Sequence, residues 1–536
     1  MSRESAILKM MPALGLLLFL GGCVTPDYWF DLPVPGAAEK PVPPTASFTL
    51  TGPQWQEPPL LPATDNNTLN LSLEQAIIFA LRHNRQLQVN QFQPLIAGTF
   101  EAIERGVYDP ELFAELLYSE ETASETSRST GERFSVEGED VDTIIGLRQK
   151  LPTGTELSAS MSHRRSTSDR TPKQQEARLG LTITQSLLAG FGPAVNMVDI
   201  GQAHLADQAS LYELRGFIEA LVAEVETTYW KYVLAEEGIA IFKRSLTVAQ
   251  QQLDEVEKRI EVGVLPRNAA AAAKAEVALR QQALIDSRST REKQRLRLLQ
   301  LINAGNNDQL DLQITATGRP QTATSPFTDL SDRLLLAQRL RPDLAEARLR
   351  LQQQRLEVIR TKNGLLPKLQ LFIDVGKTGY AGSFHNAVQD FDRDNYELST
   401  GIMFSSLINN RRAQGHDLAA RASAAQAKAA LINLRNLVEL DVRLALNETE
   451  RCRRQITAGA VTRSLQEQTL QAEQERFAIG ASTSLLVAQA QRDLLISQLA
   501  EIEAVVNYRI ALVNLYLAEG SLLDRRGINT PNIGYP

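Results

Sequence analysis

Several residue patterns on which enzymes depend are missing from this chain. Its 536 residues include five histidines, and none of them stands at a zinc-ligand spacing from a cysteine or an acidic residue. Glycine-rich phosphate loops and nucleophile elbows are absent as well. The six methionines give no support to a methionine-lined copper path. We therefore expect a protein that is not an enzyme and that needs no cofactor or metal.

Proline is missing from two long stretches, residues 194–265 and 368–530. Ala, Leu, Gln, Glu and Arg dominate much of both stretches, a composition typical of long coiled helices. From Gly192 to Gly263 there is room for roughly 70 helical residues, or about 105 Å, and Asn410 to Gly480 leaves the same room. A coiled-coil seam with 3-4-3-4 spacing occurs in the first of them, at Leu246, Ala249, Leu253, Val256 and Ile260.

Long hydrophobic runs are also scarce. Met10–Leu20 is too short to span a bilayer but fits the apolar region of a signal peptide at residues 1–22. The run ends in Leu-Gly-Gly-Cys, which resembles the bacterial lipobox and predicts acylation of Cys23 with diacylglycerol and palmitate. Val24 at the next position favours the outer membrane, by the same resemblance. Ten of the 23 prolines follow, so we interpret residues 23–66 as an extended, lipid-anchored tether.

The chain has only two cysteines and no basic stripe. With Cys23 acylated, Cys452 has no partner for an intramolecular disulfide, so stability must come from packing and oligomerisation. The net charge of −7 is spread over residues of both signs without a basic stripe, which argues against a nucleic-acid partner.

The two halves of the chain repeat each other. Arg259–Gly263 and Arg476–Gly480 each interrupt a long helical pattern with an Arg-x-x-x-Gly turn, and they lie 480 − 263 = 217 residues apart. Gln185–Leu188 and Phe404–Leu407 match at 404 − 185 = 219. A duplication of this length, built from long helices, is more typical of a tube wall than of an enzyme.

Shorter helices precede the strand region of each half. Arg82–Leu87 matches Arg339–Leu344 at 339 − 82 = 257, within a helix predicted at 72–105 with Asn70 or Ser72 as N-cap. Another short helix is predicted at 268–303, so that two short helices end to end equal one long helix. The resulting division is repeat 1 at 67–303, a linker at 304–329, repeat 2 at 330–520 and a tail at 521–536.

Strand patterns separate the short helices from the long ones. Arg178–Thr184, Leu369–Val375 and Leu398–Phe404 alternate with one apolar face, as expected of a barrel strand between lipid and water, although a soluble sandwich strand looks the same. The change in repeat offset, 257 − 217 = 40, means that the first half holds about 40 extra residues. We assign them to an inserted hairpin at 136–175, interpreted as extending outward on the extracellular side; whether it joins the barrel is left open.

In this order and spacing, the chain resembles the outer-membrane efflux protein family of the TolC type over about residues 67–520. The features that carry the resemblance are the duplicated plan, the Gly190–Gly192 strand exit and the two Arg-x-x-x-Gly tips. The resemblance implies a mainly α fold with β: a homotrimer in which each protomer gives four strands to one 12-stranded transmembrane β-barrel, continued by a periplasmic helical tunnel. Four strands cannot close a barrel, so several chains must share it.

The resemblance also implies sites. The tips, with Arg259, Gly263, Arg476 and Gly480, would meet a periplasmic adaptor that links the duct to an inner-membrane pump. Gly there permits a positive φ, and the Arg can bond the last helical carbonyls, although a purely structural C-cap is the alternative. Family members often carry acidic residues six and nine positions after the tip Gly. The residues here are uncharged, which predicts a constriction that is more apolar or closed by other contacts: Leu486, Gln489, Ala269 and Ala272.

Three functions are therefore weighed. The first is an outer-membrane exit duct of a tripartite pump or type I secretion system, passive and driven by its inner-membrane partner. The second is a periplasmic adaptor lipoprotein, against which the duplication argues. The third is a structural coiled-coil lipoprotein without a pore, against which the alternating strands argue. The cargo and the cognate pump are not indicated.

Overall fold

The computed structural model describes residues 68–126, 128–169, 173–302, 310–319, 329–392 and 395–528. The predicted signal peptide, Cys23 and the tether lie outside the described residues, as does the tail after residue 528. Within the described ranges, no helix is both long enough and apolar enough to cross a membrane.

Each repeat contains short helices, strands and one very long helix. The first comprises β1 (Thr68–Leu71), α1 (Leu73–His83), α2 (Arg85–Gly106), β2 (Glu111–Thr126), β3 (Arg133–Lys150), β4 (Thr155–Ser168), β5 (Gln174–Ser186), α3 (Pro193–Asn196), α4 (Val198–Glu261) and α5 (Ala269–Leu301). The second comprises β6 (Gln313–Ala316), α6 (Leu330–Leu340), α7 (Pro342–Asn363), β7 (Lys368–Ala381), α8 (Phe384–Gln389), β8 (Tyr396–Ser405), α9 (Arg411–Ala478), α10 (Ser484–Glu519) and α11 (Leu522–Arg525). A 3₁₀ turn at Asp390–Asp392 follows α8.

The duplication is exact in the short helices. α1 and α6 have 11 residues each, and α2 and α7 have 22 each. Ser72 caps α1 in a capping box with Gln75, and its repeat counterpart Asp329 caps α6 by accepting a bond from the Leu330 N–H at 2.7 Å. The long helices, of 64 and 68 residues, confirm the helical spans expected from the missing prolines.

The single helix predicted at 72–105 is wrong, because the chain breaks at Asn84. This residue has an extended ψ of 117°, its Oδ1 accepts a bond from the Leu87 N–H at 2.9 Å, and its Nδ2 donates to the Leu301 carbonyl at 2.8 Å. The counterpart Arg341 is held extended by Pro342, whose ring disfavours a helical conformation in the preceding residue. Both repeats therefore divide this segment into an 11-residue and a 22-residue helix.

Six strands form one antiparallel sheet in the order β2-β3-β4-β5-β7-β8, and β1 pairs with β6 in a separate parallel sheet. The strands at 178–184, 369–375 and 398–404 are confirmed within β5, β7 and β8. The sheet has six strands where four per protomer were expected, because the hairpin predicted at 136–175 corresponds to β3 and β4 and is hydrogen-bonded into the sheet on both sides. Only the far ends of β2 and β3 extend beyond the other strands.

The helices form a wall one helix thick. Near the sheet, the order of packed neighbours is α2, α4, α7, α9; at the other end α5 packs on α4, which packs on α10, which packs on α9. The two long helices therefore run through the whole wall, and pairs of short helices fill the spaces beside them. Along the predicted seam of α4, Ala249 and Val256 are buried and the other three positions are partly buried.

The largest hydrophobic core lies halfway along the wall, where β1 and β6 pack against α4. The Tyr229 hydroxyl donates to the Leu71 carbonyl at 3.2 Å, and the Tyr232 hydroxyl donates to the Ile314 carbonyl at 2.5 Å. The segment predicted as a linker therefore contains β6, a structural strand. The predicted tail likewise begins with α11, whose Leu522 and Leu523 are fully buried in this core.

Candidate functional site

The two tips of the helical wall are the same motif. Gly263 has φ +77° and Gly480 has φ +79°. The N–H after each glycine bonds to the carbonyl of the tip arginine: Val264 to Arg259 and Ala481 to Arg476, both at 2.8 Å. These are Schellman turns, which satisfy the last helical carbonyls and need a residue that tolerates positive φ. The predicted structural reason for the two glycines is confirmed.

The two tip arginines have different surroundings. Nη1 of Arg259 donates to the Phe477 carbonyl of the other tip at 3.2 Å, and its guanidinium lies 4.4 Å from the centre of the Phe477 ring. Its other partner is Glu255, at 2.6 Å. Arg259 thus bonds a helical carbonyl, as expected, but one that belongs to the second repeat. With Val256 and Val487 buried beside Phe477, the two tips form one packed unit.

Arg476, in contrast, faces solvent. Its side chain is 66% exposed and pairs with Glu473 at 3.0 Å. Hydrogen bonds from Ser482 and then Arg476 lower the pKa of the Glu473 carboxyl. Three large apolar side chains are exposed around the turns: Val262 (73%), Val264 (68%) and Ile479 (81%). This apolar tip surface was not predicted from the sequence, although each of these residues directly flanks a tip glycine.

The predicted constriction residues lie on the helices that leave the tips. Leu486 and Gln489 are exposed in the first turns of α10, and Ala272 is exposed in α5. Ala269 is the first residue of α5, and its side chain lies outside the described part of the chain. Leu486 and Gln489 share an exposed stripe of α10 with Asp493 and Ile496, at 3-4-3 spacing. Asp493 was not identified from the sequence, because it stands one turn beyond the positions compared.

The lateral edges of the wall are apolar, and none of the described residues covers them. Of the residues of α2, only Leu87 is buried, and the exposed stripe of this helix contains Val89, Ile96, Phe100 and Ile103. At the opposite edge, α9 buries only eight of its 68 residues. Its exposed large side chains include Leu418, Ile432, Leu437, Leu440, Leu444, Val461 and Leu465. Soluble monomers rarely expose patches of this extent, so these edges are candidate interfaces.

The sheet has open edges at the same two sides. β2 follows α2 in the chain and is one edge strand, and β8 precedes α9 and is the other. The two faces of the sheet differ sharply. One row crossing all six strands contains only apolar residues, and the face that holds it is called the apolar face: Leu112, Leu147, Ala159, Leu181, Val375 and Leu398. The row beside it on the opposite, polar face is Glu111, Arg148, Ser158, Thr182, Asp374 and Ser399.

Buried charges are paired near the central core. Arg333 forms a buried ion pair with Glu519, and Arg526 binds Glu226 through two hydrogen bonds of 2.6 and 2.5 Å. Burial raises the pKa of Glu219 to about 7, although Arg215, at 3.6 Å, opposes the shift. Ion pairs of this kind specify how α4, α6 and α10 meet rather than adding much net stability.

The sequence matches the family described as "Outer membrane efflux protein" over residues 153–304 and 334–521. These stretches make up more than half of the chain and cover the long helix and tip of each repeat, together with β4 and β5 of the first repeat and β7 and β8 of the second. The chain belongs to the outer membrane efflux protein family. The resemblance drawn from its repeats and tips is thereby confirmed.

Solved structures agree with this assignment at the level of the fold. This efflux protein is similar to the outer-membrane channel OprN, with 17% identity, a TM-score of 0.63, and coverage of 88% of this chain and 98% of that one. It is also similar to the CmeC outer membrane channel of Campylobacter jejuni, with 16% identity, a TM-score of 0.62, and coverage of 91% of this chain and 95% of that one. The open state of the MtrE outer membrane channel of Neisseria gonorrhoeae is similar as well, with 19% identity, a TM-score of 0.60, and coverage of 89% of this chain and 99% of that one. No curated protein matches the chain.

Proposed function

We propose that this efflux protein is the outer-membrane exit duct of a tripartite efflux pump or type I secretion system. It would act as a homotrimer, a passive channel through which an inner-membrane partner drives the cargo. The observation that carries the proposal is the pair of uncovered edges: a wall whose helices and strands both end in unpaired, apolar sides is incomplete as a monomer. A closed ring of copies covers every edge.

The positions of the edges support a head-to-tail ring. α2 and β2 lie on one side of the chain, and α9 and β8 lie on the other, so one interface joins unlike edges and repeats around an axis. An even number of antiparallel strands leaves β8 antiparallel to β2 of the next copy, which is the pairing a closed barrel needs. A lipid-exposed open strand edge is not tolerated, so ring closure is also required by the membrane. The number three comes from the family resemblance.

The sheet supports the outer-membrane location. Its strands have 10 to 18 residues, and about 9–11 residues suffice to cross a bilayer when tilted. The apolar face would contact lipid, and the polar face would line the water-filled lumen. The lipid anchor at Cys23 would tether the same end of the molecule.

The tip is the proposed docking surface for the periplasmic adaptor. Exposed Val262, Val264 and Ile479 offer apolar contacts, and Arg476 offers a largely exposed charged group that pairs with the partly buried Glu473. Arg259 and the glycines Gly263 and Gly480 would act indirectly, by holding the two turns in one fixed arrangement. An interface with a small apolar centre and a charged rim is typical of protein recognition.

The constriction proposed at Leu486, Gln489, Ala269 and Ala272 is uncharged. In a trimer with the α10 stripe facing the lumen, the first ring of charge would come from Asp493, further inside. Leu486→Asp should place three carboxylates at the narrowest level and make the open channel sensitive to block by divalent cations. If single-channel currents of this variant match the wild type with and without such cations, Leu486 does not line the pore.

The periplasmic adaptor and the poreless coiled-coil lipoprotein remain the alternative functions. Both would leave the apolar face of a six-stranded sheet in water. Conductance in planar bilayers distinguishes the duct from both, because only the duct forms an open lumen across the membrane.

The decisive experiment combines assembly with conductance. Purified wild-type protein should run as a heat-resistant trimer band and should give stable conductance steps in planar bilayers. Phe100→Asp, at the α2 edge, should lose both the trimer and the steps, since it buries a charge in the interface. Gln91→Asp, at an exposed position of α2 outside the apolar stripe, is the matched control and should keep both. A wild-type protein that is a stable monomer without conductance would exclude the duct.

A further inference from the structure

We infer that the additional hairpin of the first repeat lies in the membrane, so that a trimer closes as an 18-stranded barrel rather than a 12-stranded one. The inference rests on the proposed function, because it needs the trimeric barrel. It adds the number of strands that each chain gives to the barrel, and hence the width of the outer-membrane end of the duct.

The register of β3 and β4 supports this placement. Because side chains alternate along a strand, a slip of one residue would exchange the two faces of the hairpin relative to its neighbours. No such exchange occurs: the apolar row continues through Leu147 of β3 and Ala159 of β4. A second row on the same face includes Ala114, Ile145, Met161, Leu179, Lys377 and Tyr396. A hairpin in extracellular water would have no reason to keep a lipid-type face in phase with a barrel.

The polar face of the hairpin is equally continuous. Arg164 of β4 pairs with Asp140 at 3.1 Å and with Asp142 at 3.6 Å, both on β3. Serines occupy most of the remaining positions of β4 on this face: Ser158, Ser160, Ser162 and Ser166. Small hydroxyl side chains and paired charges suit a water-filled lumen.

A packing detail shows that β3 pairs with β2 as β8 pairs with β7. On the polar face, the Phe113 ring of β2 covers Gly146 of β3, where a Cβ would come within 2.7 Å of the ring. In the second repeat, the Phe372 ring covers Gly401, where a Cβ would come within 2.6 Å. An aromatic ring over a cross-strand glycine pins strand register. β2 and β3 are therefore a barrel hairpin of the same construction as β7 and β8.

The width of the wall also fits six strands. Four helices lie side by side where the wall meets the sheet, and at about 10 Å each they span about 40 Å. Six strands about 4.8 Å apart and tilted by about 40° span about 38 Å, whereas four would span about 25 Å. With six strands per chain, barrel and tunnel join without a change in circumference.

Paramagnetic accessibility of spin labels tests the inference in the full-length trimer reconstituted in lipid vesicles. Single cysteines are introduced into a Cys452→Ser background at two adjacent pairs of positions. Met161→Cys and Ser162→Cys lie on the apolar and polar faces of β4, and Leu398→Cys and Ser399→Cys do so on β8. The background protein without a new cysteine is the labelling blank, because Cys23 is predicted to be blocked by acylation.

The expected result is the same contrast at both pairs. The labels at 161 and 398 should show several-fold higher relative accessibility to oxygen than to a water-soluble nickel chelate, compared with 162 and 399. If the contrast appears in β8 but both β4 labels are accessible to the chelate, the hairpin lies outside the bilayer: the inference fails while the proposed duct stands. If neither pair shows a contrast, the membrane barrel itself is excluded, and the inference with it.

Discussion

The two repeats differ in their sheets far more than in their helices. The short helices before the strands agree to the residue, and the long helices differ by only four residues. The strands number four in the first repeat (β2 to β5) and two in the second (β7 and β8). A helix in a single-layer wall has a length fixed by its neighbours, whereas a hairpin adds two strands to an antiparallel sheet without changing the direction of the chain. The sheet can therefore change where the helices cannot.

The largest expected effect concerns the added hairpin, at two neighbouring isoleucines. Ile145 lies on the apolar face of β3 and Ile144 on the polar face. Ile145→Arg should destabilise the folded protein in lipid by about 2–4 kcal/mol, the cost of a guanidinium near the membrane midplane. Ile144→Arg should cost much less, because it faces the lumen. Urea titrations of folding into vesicles measure both; equal losses would place the hairpin outside the bilayer.

The second prediction concerns a buried carboxyl in the long helix α4. Glu219 lies beside Arg215, with Asp524 and Arg341 nearby. Its pKa is about 7 in the folded protein against an ordinary 4.5. Since the folded pKa is the higher one, stability from the protonated carboxyl is present below pH 4.5 and is lost as the pH rises through 7.

Glu219→Gln should therefore gain on the order of 3 kcal/mol over the wild type at pH 8 and nothing at pH 4.5. Chemical unfolding followed by helical circular dichroism at both pH values measures the difference. The same pH dependence in both proteins would contradict the buried ionisation of Glu219.

The tips offer the sharpest pair of matched residues. Arg259→Ala removes a charged hydrogen bond and a cation–π contact between the repeats and should cost about 2 kcal/mol of stability. Arg476→Ala removes only the ion pair between a largely exposed arginine and Glu473 and should cost less than about 1 kcal/mol, yet it should weaken adaptor binding. Unfolding and adaptor pull-down titrations test the two halves of this prediction. If Arg259→Ala is as mild as Arg476→Ala, the cross-tip bond is not structural.

The smallest effect concerns the break between the short helices. Asn84→Ala removes the N-cap of α2 and the bond to the Leu301 carbonyl, and should cost about 1 kcal/mol. Gln86→Ala, at an exposed helical position, is the control and should change stability little. Thermal unfolding of both variants provides the measurement. At the second break Pro342 replaces the N-cap role of Asn84, and Arg341 makes the corresponding long-range bond, from its Nη1 to the Ala518 carbonyl at 3.4 Å.

Much of this molecule could be predicted from local patterns. The missing prolines predicted the long helices, the tip glycines predicted their positive φ, and the strand alternation predicted β5, β7 and β8. The break at Asn84 was missed because its decisive partner, the Leu301 carbonyl, is 217 residues away. β6 was missed because it pairs with a strand from the other repeat.

The sequence by itself determined the duplicated plan, the helix lengths and the turns, since each depends on the spacing and backbone preferences of nearby residues. Only the tertiary structure decided that the added hairpin is part of the sheet, that Arg259 fastens one tip to the other, and that the described residues leave the edges of the wall uncovered. Those features depend on which distant residues become neighbours. Strand pairing and shared burial are settled by the whole chain packing at once, and no local pattern specifies them.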